Sequence, residues 1–237
     1  MVDFLGIGAQ KAGTTWLAEM LSRHPAVQFP AGKEVHFWDQ HYVGGYDWYN
    51  NFFTPEPGIK KGDITPAYAI LPPEKIAEVY RHFPHVPLIY SIRNPIDRAW
   101  SAALMGLRRA EMRFEETSDA WFIDHFKSQG STKRGDYEQC LRSWLAVYPQ
   151  PQLLLIRQED IAANPRAVLK AAANHIGVDA EFYDGIAEET LSERVFEGEK
   201  YPIRPALLEW LEKYYAQKIP AFEAYLRELL AIKRVSF

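Results

Sequence analysis

VDFLGIGAQKAGTTWLAEML, residues 2–21, opens on an apolar run, Phe4-Leu5-Gly6-Ile7, passes through Gly8 and Gly13, and continues with Leu17 and Leu21 on one helical face. That order predicts a strand, a glycine-rich turn and a helix N-terminus. Such a turn presents unpaired backbone N–H groups to an anion. Thr14 and Thr15 add hydroxyl donors, and Lys11 adds a mobile positive charge. Gly8 and Gly13 match the two glycines of GxxxxGK(S/T), but Thr14 stands where that motif needs its lysine. The lysine lies inside the loop instead, so the loop can cradle a phosphate without the usual arrangement of a β/γ-phosphate lysine and Mg2+. A glycine-rich turn of an ordinary α/β protein is the alternative on glycine spacing alone.

The 237 residues suit one large domain, 1–237, and a hydrophobic fraction of 47% with seven tryptophans allows a substantial core. A net charge of -4 gives no general electrostatic case for nucleic acid, although a local basic cleft can still hold one anion. One cysteine, Cys140, excludes an intrachain disulfide and a multi-cysteine metal site. No apolar run approaches the roughly 18 residues of a membrane span. The N-terminus enters the first strand directly, so the expectation is a cytoplasmic protein with no transmembrane segment.

Outward from the opening stretch, Val27–Pro30 reads as a short strand. If Lys33-Glu34-Val35-His36-Phe37-Trp38 is extended, Glu34, His36 and Trp38 share one side, which places a carboxylate beside an imidazole flanked by an aromatic. The aromatic-rich Asp39–Gly58 reads as irregular or short-helical, a candidate acceptor wall or simply core cover. Lys61–Tyr68 reads as turn-like, and a helix follows over Pro73–Phe83. Pro87–Ile92 is the best central strand. It ends in Arg93-Asn94-Pro95, a basic residue where α/β proteins place ligands, and a helix from about Ile96 to Ala102 carries Ser101. Gly130–Arg134 reads as a mobile lid candidate. Tyr137, Leu141, Trp144 and Tyr148 fall at helical spacing, with Cys140 a core thiol beside them. A strand over Gln152–Ile156, a helix over Asp160–His175, and helices near Pro205–Tyr215 and Pro220–Ala231 complete the pattern. Alternating strands and helices predict a three-layer α/β/α fold with a mostly parallel sheet.

Two anion sites thus emerge, one on Gly8–Thr15 and one on Arg93 with Ser101. Lys11-Ala12-Gly13-Thr14-Thr15 and Ile92-Arg93-Asn94-Pro95-Ile96-Asp97-Arg98-Ala99-Trp100-Ser101 together resemble the sulfotransferases that use 3′-phosphoadenosine 5′-phosphosulfate, PAPS. The match looks closest to the carbohydrate branch, including heparan sulfate sulfotransferases. Lys33-Glu34-Val35-His36-Phe37 is similar to that branch's KEVHFF segment, and Asp63–Tyr68 to its EKSPAY segment. The resemblance implies a P-loop-like phosphosulfate loop formed by Gln10, Lys11, Ala12, Gly13, Thr14, Thr15 and Trp16. It also implies a 3′-phosphate held by Arg93 and Ser101, and a late cofactor loop with Lys200 and Tyr201. Two differences stand out. Ile64 replaces a lysine linked to anionic sugars, and Glu197 and Glu199 replace cations of a KGRKYP loop. Both weigh against a heavily sulfated acceptor and bring a neutral sugar, a glycosylated metabolite or another hydroxyl compound into view.

What the resemblance implies chemically is in-line sulfuryl transfer from PAPS to a hydroxyl, releasing 3′,5′-adenosine bisphosphate (PAP). Glu34 would be the general base, and Lys11 would stabilise leaving-group charge. His36 would orient the acceptor or steady the transferring group. No metal is required. Burial would raise the Glu34 pKa and Lys11 would lower it. The plain alternative for Glu34 is a surface carboxylate paired with Lys33. Other functions remain open: a nucleotide-dependent phosphotransferase, marked by ATP binding with magnesium; a catalytically impaired PAPS-binding protein, marked by binding without transfer; and a structural α/β domain, which binds neither nucleotide.

Overall fold

The computed structural model describes residues 1–192 and 201–232. Its strands are β1 (Phe4–Gly8), β2 (Val27–Gln28), β3 (Lys60–Ile64), β4 (Leu88–Ile92) and β5 (Leu153–Arg157). Its α-helices are α1 (Thr14–Ser22), α2 (Tyr46–Asn51), α3 (Pro73–His82), α4 (Pro95–Arg109), α5 (Asp119–Lys127) and α6 (Gln129–Gly135), followed by α7 (Tyr137–Leu145), α8 (Gln158–Ala163), α9 (Pro165–Ile176), α10 (Glu188–Leu191), α11 (Pro205–Tyr215) and α12 (Lys218–Ile232). They fall into two compact units, one of Met1–Arg93 with residues 142–192 and one of Asn94–Leu141 with 201–232.

The first unit holds the sheet, ordered β2-β3-β1-β4-β5 and parallel at every pairing. Central strands with helices on their faces are apolar throughout, and β1 and β4 are buried along their whole length. Phe4, Ile64 and Ile89 pack with Leu17 and Leu21 of α1 and Leu169 of α9. In α7 the Trp144 indole donates to the Tyr68 carbonyl at 3.2 Å. Tyr148, just beyond α7, donates to the Phe83 carbonyl at 3.1 Å. The predicted parallel α/β architecture with flanking helices is what the chain adopts.

Three readings are corrected. Of the turn-like Lys61–Tyr68, the first four residues belong to β3, an interior strand between β1 and β2, and only the part from Thr65 on is a turn. Its Lys-Lys-Gly-Asp composition looks like a turn, but the Lys61 ammonium donates to the Thr54 carbonyl and Asp63 accepts from Tyr49, Thr65 and Tyr68. Gly130–Arg134 lies within α6, whose N-terminus is capped by Ser128 accepting from the Ser131 N–H at 3.2 Å. The buried Arg98 of α4 donates to the Ser131 carbonyl and hydroxyl at 3.2 and 3.1 Å, so this segment is anchored rather than a loose lid. The expected helix over Asp160–His175 is two helices, because Asn164-Pro165 stops α8 and starts α9 with Asn164 as its cap.

Gly62 is the tightest constraint in the sheet. It pairs with Phe4, and a Cβ there would lie 2.1–2.6 Å from the Phe4 ring. Gly62→Ala is expected to cost on the order of 1–3 kcal/mol by overpacking, read as a melting temperature lower by several degrees.

The second unit packs α4, α5 and α11 through Ala103, Leu107, Phe122, Phe126, Leu207 and Leu211. Here α4 continues to Arg109, beyond the expected end at Ala102, because Leu104 and Leu107 are also buried.

Candidate active site

The loop between β1 and α1 forms as the glycines predict. Ala9 donates its N–H to the Ser91 carbonyl at 2.6 Å, tying the loop to β4, and the Ala12 N–H reaches the Ala9 carbonyl at 3.3 Å. Lys11 (φ 70°) and Gly13 (φ 86°) both adopt the left-handed region. Gly13 occupies the cap position of α1, which has neither a side-chain cap nor an acidic residue in its first turn. The helix dipole therefore points a positive, uncapped end at the loop, a donor set suited to a phosphate or sulfate group. Gln10, Lys11 and Gly13 are half-exposed, Thr15 is exposed, and Ala12 and Thr14 are buried. Trp16 faces the core, and its indole N–H donates to the Leu191 carbonyl at 2.9 Å.

The second cluster sits at the end of β3, where the Ile64 N–H donates to the Lys33 carbonyl at 3.1 Å. Glu34 and His36 do share one side: Glu34 Oε2 lies 3.2 Å from His36 Nε2. The other ring nitrogen, Nδ1, lies 3.0 Å from Asp39 Oδ2. Glu34 Oε1 takes a short bond from the Lys33 ammonium, so the carboxylate bridges lysine and imidazole while remaining part-exposed. Burial pulls the Glu34 pKa upward, but the bond and charge of Lys33, with those of His36, outweigh it and hold the carboxyl below its ordinary value. The lowering cation is thus Lys33, not the Lys11 expected from sequence. Trp38 does not flank the pair. His36 turns left-handed (φ 54°), a π-helical turn begins at Phe37, and Trp38 is carried into a buried cluster with Phe37 and Tyr49.

Asp39 and Asp63 were missed as site residues. Asp39 had a legible signal, an i,i+3 spacing from His36 that a helical turn brings together. Asp63 had none, because its importance depends on burial. Its carboxylate is fully buried and accepts from Thr65 Oγ1 at 2.6 Å, Tyr68 OH at 2.8 Å and Tyr49 OH at 3.0 Å. Burial pushes its pKa up to about 6 against these hydroxyl bonds, which pull it down. Ile64, the expected lysine position, is part of the core.

Because β3, β1 and β4 are adjacent and parallel, their C-terminal ends lie along one edge of the sheet. The Lys33–His36 segment, the Gly8–Thr15 loop and Arg93 all stand at that edge, where open α/β sheets place their ligands. Arg93, half-buried, follows β4 in the first unit, and Ser101, half-exposed, lies on α4 in the second. Tyr201 stacks on Phe114 with ring centroids 4.1 Å apart, and its carbonyl accepts from the Trp100 indole at 2.9 Å. Lys200, Glu197 and Glu199 lie outside the described residues.

The chain is thus a parallel α/β protein with a glycine-rich loop and an uncapped helix N-terminus after its first strand and a carboxylate–imidazole pair at the same sheet edge. The chain belongs to the sulfotransferase domain family, whose match covers residues 2–200. It is 30% identical over 193 residues to mouse heparan sulfate glucosamine 3-O-sulfotransferase 3B1, covering 75% of this chain and 47% of that protein. It is 29% identical over 196 residues to human bifunctional heparan sulfate N-deacetylase/N-sulfotransferase 2, covering 74% of this chain and 22% of that protein. The chain thus spans less than half the length of these relatives. A sulfotransferase from Alicyclobacillus acidocaldarius shares the fold, with a TM-score of 0.72 at 23% identity over 96% of each chain. Among the described residues no helix is long and apolar enough to cross a membrane.

Proposed function

We propose that the protein transfers a sulfuryl group from PAPS to a hydroxyl of a carbohydrate or small metabolite, with Glu34 as general base. The observation that carries this reading is the shared sheet edge: an uncapped helix N-terminus after β1 and an ionised, part-exposed carboxylate anchored beside β3. The donor set of the loop fits the anionic end of PAPS. Gln10, Lys11, Ala12, Gly13, Thr14 and Thr15 would hold the phosphosulfate, and Arg93 the 3′-phosphate. Ser101, Lys200 and Tyr201 are assigned to the cofactor by family resemblance. Trp16 is assigned to the floor beneath the loop. When bound, PAPS supplies an activated sulfuryl group and a phosphate leaving group.

The chain's own residues do the rest. Glu34, charged at neutral pH, accepts the proton of the acceptor hydroxyl. His36, fixed between Glu34 and Asp39, orients that hydroxyl. Lys11 and the loop N–H groups stabilise negative charge as it develops. Acceptor class follows from the relatives, which are named for heparan sulfate. The apolar, buried Ile64 removes one cation that such a polymer would use, so the reading favours a less charged sugar or hydroxyl compound.

Calorimetric titration with PAP tests the cofactor assignment directly, with ATP plus magnesium as the comparison. PAP should bind the wild type, and Arg93→Ala should weaken it by about 10- to 100-fold, the worth of a charge-assisted hydrogen bond. Binding of ATP with magnesium in preference to PAP would replace this reading with a phosphotransferase.

A further inference from the structure

Asp63 is a fully buried carboxylate that the proposed chemistry does not use. A carboxylate in that setting is costly unless its lone pairs are filled. Oδ1 accepts from Thr65 Oγ1 at 2.6 Å and from the Val35 N–H at 3.5 Å; Oδ2 accepts from Tyr68 OH at 2.8 Å and Tyr49 OH at 3.0 Å. Two of these hydroxyls pass the interaction on. Thr65 Oγ1 accepts from the N–H groups of Val35 and His36, at 3.0 and 3.4 Å, and Tyr68 OH accepts from the Phe37 N–H at 3.0 Å. Three consecutive amides of the segment that carries Glu34 and His36 are therefore held by hydroxyls whose protons point at Asp63. His36 also sits at φ 54°, a backbone conformation that persists only where its surroundings enforce it.

We infer that Asp63 is a positioning residue: through Thr65 and Tyr68 it fixes the backbone of Val35–Phe37 and thereby aims the Glu34–His36 pair. The inference rests on the reading of that pair as catalytic. Its direction is set by charge. An ionised Asp63 offers only lone pairs, so Thr65 and Tyr68 must donate to it and keep their own lone pairs for the amides. An asparagine offers an NH2 on one side, which makes the hydroxyl facing it an acceptor and leaves that hydroxyl's proton without its former partner. Protonation of Asp63 does the same at one oxygen. The groups facing Asp63 are Tyr49 of α2, Thr65 and Tyr68 of the turn after β3, and the Val35 amide.

The test compares Asp63→Asn, Thr65→Val and Thr65→Ser with wild type, and uses Ile176→Val, a core change on α9, as a stability control. Valine keeps the shape of threonine and loses the hydroxyl, while serine keeps the hydroxyl. Thr65→Val and Asp63→Asn should lower kcat about 10- to 100-fold, the cost of misplacing a catalytic group by about 1 Å, with PAP affinity unchanged. Thr65→Ser should restore turnover to within about threefold of wild type, consistent with hydroxyl bonding as the cause. In NMR the His36 ring cross-peak should move and broaden in Thr65→Val, and the Val35–Phe37 amides should exchange faster, but neither should change in Ile176→Val. The wild-type kcat should fall as pH drops through about 6, and that step should be missing in Asp63→Asn. Loss of activity that merely tracks melting temperature across all variants, or Thr65→Ser failing like Thr65→Val, would overturn the inference. Should Asp63→Asn not fold, the threonine pair decides the matter alone. If wild type binds PAP but transfers no sulfuryl group, the functional reading fails. The ring and amide signals still decide whether Asp63 aims the pair.

Discussion

Glu34→Gln lowers kcat by about 10²–10⁴-fold while leaving PAP affinity and melting temperature near those of wild type. The first half of that expectation follows from role. Among the described residues around His36, Glu34 is the carboxylate that is part-exposed and bridges the imidazole to a lysine. Glutamine keeps the shape and can still bond one neighbour, but it cannot take a proton. The second half follows from position. The Lys33–Glu34 pair is exposed enough that its loss costs little stability, since surface pairs contribute roughly 0–1 kcal/mol. The lowered pKa of Glu34 adds a further expectation for the same kinetics. Its acid limb lies below the ordinary glutamate range, because Lys33 and His36 outweigh burial. Steady-state rates across pH, together with calorimetry on the same preparations, separate loss of the base from loss of the fold. An unchanged kcat in Glu34→Gln would remove Glu34 from the mechanism.

Lys11→Ala is the second large effect, a loss of about 10²–10³ in kcat, comparable to removing one donor from an oxyanion-type site. The backbone makes this substitution unusually clean. Lys11 already holds φ 70°, where any side chain with a Cβ is strained, so alanine adds no new cost and the change isolates the ammonium group. Ground-state binding of PAP should weaken less than turnover, since on the proposed mechanism the charge that Lys11 meets grows as the leaving group departs. Equal losses in PAP affinity and in kcat/KM with kcat unchanged would instead make Lys11 a simple binding residue.

Much of the sheet was readable because its strands are apolar and bounded by glycine, proline or charge. Leu88–Ile92 followed by Arg93-Asn94-Pro95 is the clearest case. The turn-like reading of Lys61–Tyr68 failed over residues 61–64, where periodicity carries no signal. Gly62 is there to admit the Phe4 ring, and Asp63 is tolerated because Thr65 and Tyr68, a few residues on, and Tyr49 of α2 complete it. Local composition reveals neither the Phe4 ring and Tyr49 arriving from other segments nor the burial that turns Thr65 and Tyr68 onto Asp63. The Glu34–His36 juxtaposition was legible from alternation. Its companion Trp38 was not, because the left-handed turn at His36 ends the alternation two residues early. The same limit applies to Lys33. Adjacent in sequence to Glu34, it was visible as a surface partner, yet its effect on the carboxyl depends on how far that pair is buried.

The ring of Phe4 seated over Gly62 also acts as a ruler. In a parallel pair, slipping β1 against β3 by one residue would turn every side chain to the wrong face and set Phe4 against Lys61 or Asp63. Slipping by two would restore the faces but shift the strands by about 6.6 Å. One strand leads into the glycine-rich loop and the other anchors the segment bearing Glu34 and His36. The spacing between the loop after β1 and the Glu34–His36 pair is therefore set, before any ligand arrives, by the fit of one aromatic ring into the place of one missing side chain.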